Sequence, residues 1–261
     1  IFARQGIELS RALLSNWVDA CCQLMTPLND TLYRYVMNTR KVHTDDTPVK
    51  VLAPGRKKAK TGRIWTYVRD DRNAGSSEPP AVWFAYSPDR QGKHPVQHLR
   101  PFRGILQADA FSGYDRLFSA EREGGALTEV ACWAHARRGF ADLYKISKDP
   151  RAAIAVKKIA GLYRLEKKIS SRPVEKIRQW RQRYARPILE DLWSWLEEQE
   201  PQCSPGRALH KAIVYALSHR VELSRFLEDG AVPLDNNVCE RAIKNVVLGR
   251  KSCLFAGSQM A

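Results

Sequence analysis

Three acidic residues in separate predicted elements are the side chains of this sequence best suited to chemistry. Glu240 lies in the polar run from Asp235 to Lys244, where its polar neighbours are mostly amides and cations. Asp45 and Asp109 lie far upstream, each beside an apolar, strand-like run. Carboxylate oxygens suit Mg²⁺, and two such ions can hold the attacking and leaving oxygens of a phosphodiester. The three acids therefore suggest a metal-dependent reaction on phosphodiesters.

The position of each upstream acid on its strand is informative but open to two interpretations. Alternation along the first predicted strand places Asp45 on an apolar face and Asp46 on the opposite one. Asp109 follows the apolar run at 104–108, at the strand end where binding groups of α/β sheets collect. Asp45 could equally be a strand-edge residue and Asp109 a turn-forming residue, and the pattern alone does not choose.

On a helix, Glu240 would share one face with two amides and a cation. Asn236 and Asn237 precede it by four and three residues, and Lys244 follows it by four. Such a face could line a metal–phosphate site. The alternative is a solvated face with a Glu240–Lys244 ion pair, worth only about 0.3–0.5 kcal/mol, and spacing alone favours that alternative.

The charge balance points to a polyanionic partner. The 261 residues include 43 Lys and Arg against 28 Asp and Glu, a net charge of +15. Nucleic acid is the simplest partner for such a chain. No run approaches the roughly 18 apolar residues of a membrane span, so no membrane is expected. No signal peptide is visible. The start at Ile1 rather than Met, and an end at Ala261 without any stop signal, suggest a fragment of a longer protein.

The cysteines favour a reducing compartment. The six residues show no CxxC pair and no spacing typical of a disulfide framework, which fits a cytosolic protein. Cys132 and His135 have the spacing of half a zinc site, but a structural site needs four ligands. Without a second pair at suitable spacing, packing is the favoured role of Cys132, and zinc is not expected.

The predicted elements describe a mixed α/β fold. Residues 1–40 are predicted to be helical, with Ser10 or Ser15 as a cap, and to pack on the core as a connector. The run from Gln5 to Trp17 could instead be part of a helix-turn-helix, which its length makes the less favoured interpretation. The region 41–140 holds three strands in an antiparallel meander, followed by strand, short helix and strand. This order is typical of a ribonuclease-H-like core. Residues 141–230 show helical spacing throughout and are interpreted as an all-helical insertion, and 231–261 supply the last helix of the core.

Several segments together resemble the DDE transposases of the bacterial insertion-sequence group sixty-six, the TnpC type. The similarity runs in order over essentially the whole chain, on 2–7, 43–49, 106–114, 132–138, 234–243 and 248–257. Where family members usually have Asn after Gly-Arg-Lys, this chain has Ser252.

The resemblance implies a function and roles for the acids. It implies a ribonuclease-H-like catalytic core in which Asp45, Asp109 and Glu240 form a DDE triad that binds two Mg²⁺ or Mn²⁺ ions. The implied reaction is cleavage at transposon ends and transfer of the freed 3′-OH to target DNA. The implied partners are both DNAs, further copies of the chain in a homo-oligomer, and other proteins of the element. The implied location is the bacterial cytoplasm, at the nucleoid.

Basic and amide side chains near the acids are the candidate DNA contacts. They would bind the phosphate backbone with salt-dependent affinity and little sequence preference. The candidates are Lys57, Lys58, His135, Arg137, Arg138, Asn236, Asn237, Arg241, Lys244, Arg250 and Lys251. For Lys57 and Lys58, a solvated hairpin turn is an equal alternative.

Two other functions stay open for this sequence. A ribonuclease-H-like nuclease or junction resolvase would cleave DNA without joining strands. An inactive, DNA-binding remnant of a transposon would do neither, although the presence of all three acids argues against a decayed site.

Overall fold

A five-stranded mixed sheet lies at the centre of the computed structural model, which describes residues 2–6, 8–52 and 58–252. The strands are β1 (Lys41–Val51), β2 (Lys60–Arg69), β3 (Ala81–Ser87), β4 (Ile105–Ala108) and β5 (Thr128–Ala131). Their order across the sheet is β3-β2-β1-β4-β5. The first three strands are antiparallel, and β4 and β5 run parallel to β1. The predicted ribonuclease-H-like α/β fold is confirmed.

Helices flank the sheet, and most of them lie between β5 and the C-terminal end of the described chain. The α-helices are α1 (Arg11–Leu24), α2 (Thr26–Met37), α3 (Lys93–His98), α4 (Trp133–Ser147), α5 (Pro150–Ile169), α6 (Val174–Trp180), α7 (Arg186–Gln199), α8 (Ala208–Ser218), α9 (Arg220–Ser224) and α10 (Asn237–Ser252). The short helix expected after β4 is a 3-10 turn at Ser112–Leu117.

Strand alternation gives the sheet two different faces. Trp65 and Tyr67 of β2 are buried in a cluster with residues of α2 and of the segment after β4. Val68, the next residue, packs against Cys239 and Ile243 of α10. Because successive side chains point to opposite sides of a strand, α10 covers the face opposite to α2.

The N-terminal region contains two α-helices, α1 and α2, which differ in how far their apolar side chains are buried. Ser10 caps α1 by accepting a hydrogen bond from the Leu13 N–H at 3.1 Å. The apolar side chains of α1 remain largely exposed, for example Trp17 at 51%. Val36 at the end of α2 is fully buried. In the described structure α2 therefore packs on the core, whereas the apolar side chains of α1 do not.

The helical region after β5 has its own apolar core. Residues of α4, α5, α7 and α8 share this core with the end of β5. Helix begins at Trp133, earlier than the expected boundary at 141, while the division of the chain into domains stays a prediction. Within the described ranges, no helix is long and apolar enough to cross a lipid bilayer.

Candidate active site

The two strand acids lie on the sheet face that α10 covers. His43, two residues before Asp45 on β1, has its ring Nδ1 3.0 Å from the Asn236 Oδ1, just before α10. Gln107, two residues before Asp109, donates to the Pro233 carbonyl at 2.9 Å. Since residues two apart on a strand share a face, Asp45 is directed to the α10 side, and Asp109 leaves the end of β4 on that side.

Asp45 is strongly perturbed by this environment. Burial raises the pKa of its carboxyl from 3.8 to about 7, and the nearby charge of Asp109 adds to the rise. Glu240 makes a smaller contribution in the same direction. The Asp45 carboxylate accepts a hydrogen bond from the Asp46 N–H at 2.7 Å. A carboxyl whose charge is opposed by burial and by like charges gains most from a bound cation.

Asp109 is held where the chain turns sharply out of β4. Its carboxylate accepts a hydrogen bond from the Phe111 N–H at 3.3 Å, and its carbonyl accepts one from the Tyr215 hydroxyl at 3.2 Å. Ala110, between them, has a φ of 60°. That left-handed conformation is uncommon for a residue other than glycine and costs about 1–3 kcal/mol. Strained backbone of this kind clusters at functional sites.

Glu240 lies in the first turn of α10 and pairs with α4. Its Oε1 is 3.0 Å from Nη2 of Arg138, so the observed ion pair is not the i,i+4 pair with Lys244 that was the alternative. His135, one turn before Arg138, has a buried Nδ1 without a hydrogen-bond partner in the described part of the chain. Burial, and then the charge of Arg138, lowers the pKa of His135. This ion pair joins the second turn of α4 to the first turn of α10.

The carboxylates are suitable ligands for a divalent cation, but the described side chains do not form a complete coordination site. Asp45 and Asp109 are hard oxygen ligands whose mutual repulsion a cation would relieve. Across residues 2–6, 8–52 and 58–252, no group of three or more His, Cys, Asp or Glu side chains is close enough to hold a metal ion. Glu240 is instead paired with Arg138 in this structure.

Asp46 has a different role from its neighbour. Its side chain is only 2% exposed and pairs with Arg63 at 3.0 Å and with Arg90 at 2.9 Å. Arg90 also lies 3.6 Å from the Asp109 carboxylate. Sequence reasoning missed Arg90, because it is in the loop after β3 and no local pattern links it to either acid.

Asn236 is a structural residue, which corrects its assignment as a DNA contact. It is fully buried, and its Nδ2 donates to the Thr44 carbonyl at 2.9 Å. Its backbone N–H is 3.1 Å from Sγ of Cys132. These bonds join the start of α10 to β1 and to the end of β5. His43 is also buried, at 1% exposure, on the central strand β1.

Replacing Asn236 with Ala should loosen the attachment of α10. The change leaves a buried His43 nitrogen and the Thr44 carbonyl without a partner, which costs about 1–3 kcal/mol for each such group. We expect a lower melting temperature than that of the matched Asn245→Ala variant, in which the exposed amide of α10 is removed. Equal melting temperatures would show that Asn236 does not anchor the helix.

The raised pKa of Asp45 predicts that the free energy of unfolding depends on pH. Between about pH 4 and pH 7 the folded state holds a proton that the unfolded state has released, so the free energy of unfolding falls as pH rises through this window. Without divalent ions, the wild type should lose about 2–3 kcal/mol more than Asp45→Asn between pH 5 and pH 8. Denaturant titrations at both pH values measure this difference, and parallel profiles would contradict it.

The other candidate DNA contacts are spread over three elements. Arg138, Arg241 and Lys244 are exposed on α4 and α10, whereas Arg137 and Asn237 are half-buried. Arg250 is turned to β1, where it donates to the Thr47 hydroxyl at 3.1 Å and to the Pro48 carbonyl. Lys58 is exposed beyond the end of β1. Lys57 and the Lys251 side chain lie outside the described residues.

Comparisons with known proteins identify the relatives of the chain. The sequence profile of the family described as "Transposase IS66 family" matches residues 1–261. The uncharacterized protein y4hP of Sinorhizobium fredii is 36% identical over 99% of this chain and 49% of its own length. The uncharacterized proteins y4jD and y4qI of the same organism are each 34% identical, over 99% of this chain and 51% and 49% of their own lengths. The chain thus spans about half the length of these relatives.

Proposed function

Because this chain belongs to the IS66 family of transposases, we propose that it is the catalytic region of a DDE transposase. The observation that carries the proposal is the placement of Asp45 and Asp109 on the sheet face covered by α10, the helix that bears Glu240. The raised pKa of Asp45, caused by burial and by the charge of Asp109, supports an active-site role, because such shifts concentrate at catalytic sites.

The proposed reaction has two steps at one site. In the first, water attacks the phosphodiester at a transposon end, and its oxygen becomes part of the 5′-phosphate. The bond from phosphorus to the 3′-oxygen breaks, the 3′-oxygen takes up one proton to give a free 3′-OH, and the other water proton goes to solvent. In the second, the freed 3′-OH loses its proton to solvent, attacks a target phosphodiester and forms a new P–O bond, and the displaced 3′-oxygen of the target strand takes up a proton. No covalent bond between protein and DNA is needed.

Each acid has a proposed part in these steps. Asp45 and Asp109, with Glu240 once it is released from Arg138, would hold two divalent ions, either Mg²⁺ or Mn²⁺. Such ions, when bound, polarise the phosphate and lower the pKa of a coordinated water. Arg138 would then be free to bind a DNA phosphate, and Arg241 and Lys244 extend the same exposed basic surface along α10.

The wider setting is part of the same proposal. The substrates would be the transposon ends and a target duplex in the bacterial cytoplasm, at the nucleoid. The active complex would contain more than one copy of the chain, with other proteins of the element as further partners.

A strand-joining assay with the full-length protein tests this function. Labelled duplexes with the terminal sequence of the element should be nicked at the end and joined to a plasmid target, only when Mg²⁺ or Mn²⁺ is present. Cleavage without joining would instead indicate a nuclease or resolvase. Metal-independent DNA binding without cleavage would indicate an inactive remnant.

A further inference from the structure

Arg90 is a charged residue beside the candidate site that the proposed reaction leaves without a role. It lies in the loop between β3 and α3 and bonds Asp46, whose side chain points to the face opposite to that of Asp45. Its guanidinium reaches past the end of β4 to the Asp109 carboxylate, 3.6 Å away. At this distance the two groups attract each other, but the contact is longer than a hydrogen bond. A stronger acceptor could therefore displace Asp109.

The orientation of the Arg90 guanidinium is fixed by two other contacts. Its Nε donates to the Asp46 Oδ1 at 2.9 Å, and its Nη2 lies 2.9 Å from the same oxygen. The guanidinium carbon lies 3.9 Å from the centre of the Phe111 ring. An Arg side chain that is already ordered loses little entropy when it binds a further ligand.

The need to neutralise Asp46 does not by itself account for the position of the Arg90 side chain. Asp46 is also paired with Arg63, at 3.0 Å, so its charge has a partner without Arg90. The Arg90 side chain is 37% exposed, whereas that of Asp46 is 2% exposed. The guanidinium is thus held in place through Nε and Nη2, and the same Nη2 lies 3.6 Å from the Asp109 carboxylate.

We propose that Arg90 binds the phosphate of the DNA strand that is held for reaction at Asp109. The inference rests on the proposed function and names a residue for it. A planar guanidinium matches two phosphate oxygens, and a donor fixed in advance stabilises the charge that develops on a phosphate in reaction. In the absence of DNA, the Asp109 carboxylate is the acceptor beside Arg90, at 3.6 Å.

A double-mutant cycle separates phosphate binding from support of Asp46. In the full-length protein, Arg90→Gln should slow single-turnover cleavage by about 10²–10³-fold, the usual effect of losing one fixed donor at a transition state. The double variant Arg90→Gln/Asp46→Asn should be equally slow. If the double variant recovers the wild-type rate, Arg90 only neutralises Asp46 and the proposal is overturned. Arg100→Gln, which removes an exposed Arg paired with Glu123, is the matched control and should cleave normally.

A binding measurement tests the same inference without any cleavage. The end duplex is prepared with a neutral methylphosphonate in place of the phosphate at the element boundary, and affinities are measured in Ca²⁺. The wild type should bind this duplex about tenfold more weakly than the natural one, whereas Arg90→Gln should bind both alike. An equal loss in both proteins would overturn the proposal. If the wild type discriminates but does not cleave, the proposed function fails while the Arg90 assignment stands.

Discussion

Replacing Asp109 with Asn is expected to abolish both DNA cleavage and strand joining, by at least about a thousandfold. The change keeps the size of the side chain and an oxygen that can accept from the Phe111 N–H, but it removes a charge that a divalent ion needs. Groups that contact reacting charge typically contribute effects of this size. Single-turnover cleavage and joining of labelled end duplexes by the full-length protein provide the measurement.

The matched control for Asp109 is Asp142→Asn. Asp142 is an exposed carboxylate of α4 that pairs with Lys145, so its loss should leave both steps within about twofold. The Asp109→Asn variant should also stay folded and bind DNA, since it removes a charge that opposes ionisation of Asp45. Cleavage by Asp109→Asn at the wild-type rate would show that the DDE assignment is wrong.

The positions of the strand acids could be predicted because they follow from local rules. Period-2 alternation separates Asp45 from Asp46 whatever the rest of the chain does. The order of three antiparallel strands, strand, short helix and strand permits few sheet topologies, because parallel connections cross over the sheet with a fixed hand. The observed order β3-β2-β1-β4-β5 is consistent with the predicted ribonuclease-H-like fold.

The partners of those acids could not be predicted, since they come from distant parts of the chain. Arg138 and Glu240 are 102 residues apart, and Arg90 and Asp46 are 44 apart. The helical period does place Asn236 and Glu240 four residues apart, but Asn236 precedes the first turn and is turned into the sheet. A polar sequence run does not show which of its members face solvent.

Replacing Arg181 with Met should destabilise the protein by about 3–5 kcal/mol, the usual cost of breaking a buried ion pair from one side. Arg181 is 2% exposed, in the π-helical turn Arg181–Ala185 that precedes Pro187. Its Nε and Nη2 donate to the two Glu166 oxygens at 2.8 and 2.7 Å. At about 2–4 °C per kcal/mol for a chain of this size, we expect the melting temperature to fall by roughly 10 °C. Arg183→Met, two residues on and exposed, should change it by no more than a degree or two.

Arg181 also connects the helical region to the start of α10. Its Nη1 donates at 2.8 Å to three carbonyls of the segment before that helix, those of Phe226, Asp229 and Val232. A second change, Glu166→Leu, would remove the carboxylate that Arg181→Met leaves unpaired. It should recover part of the lost stability, because most of the loss comes from that uncompensated buried charge. It would not restore partners for the three carbonyls. The double variant should therefore remain less stable than the wild type, and full recovery of the melting temperature would show that these carbonyls do not need Arg181.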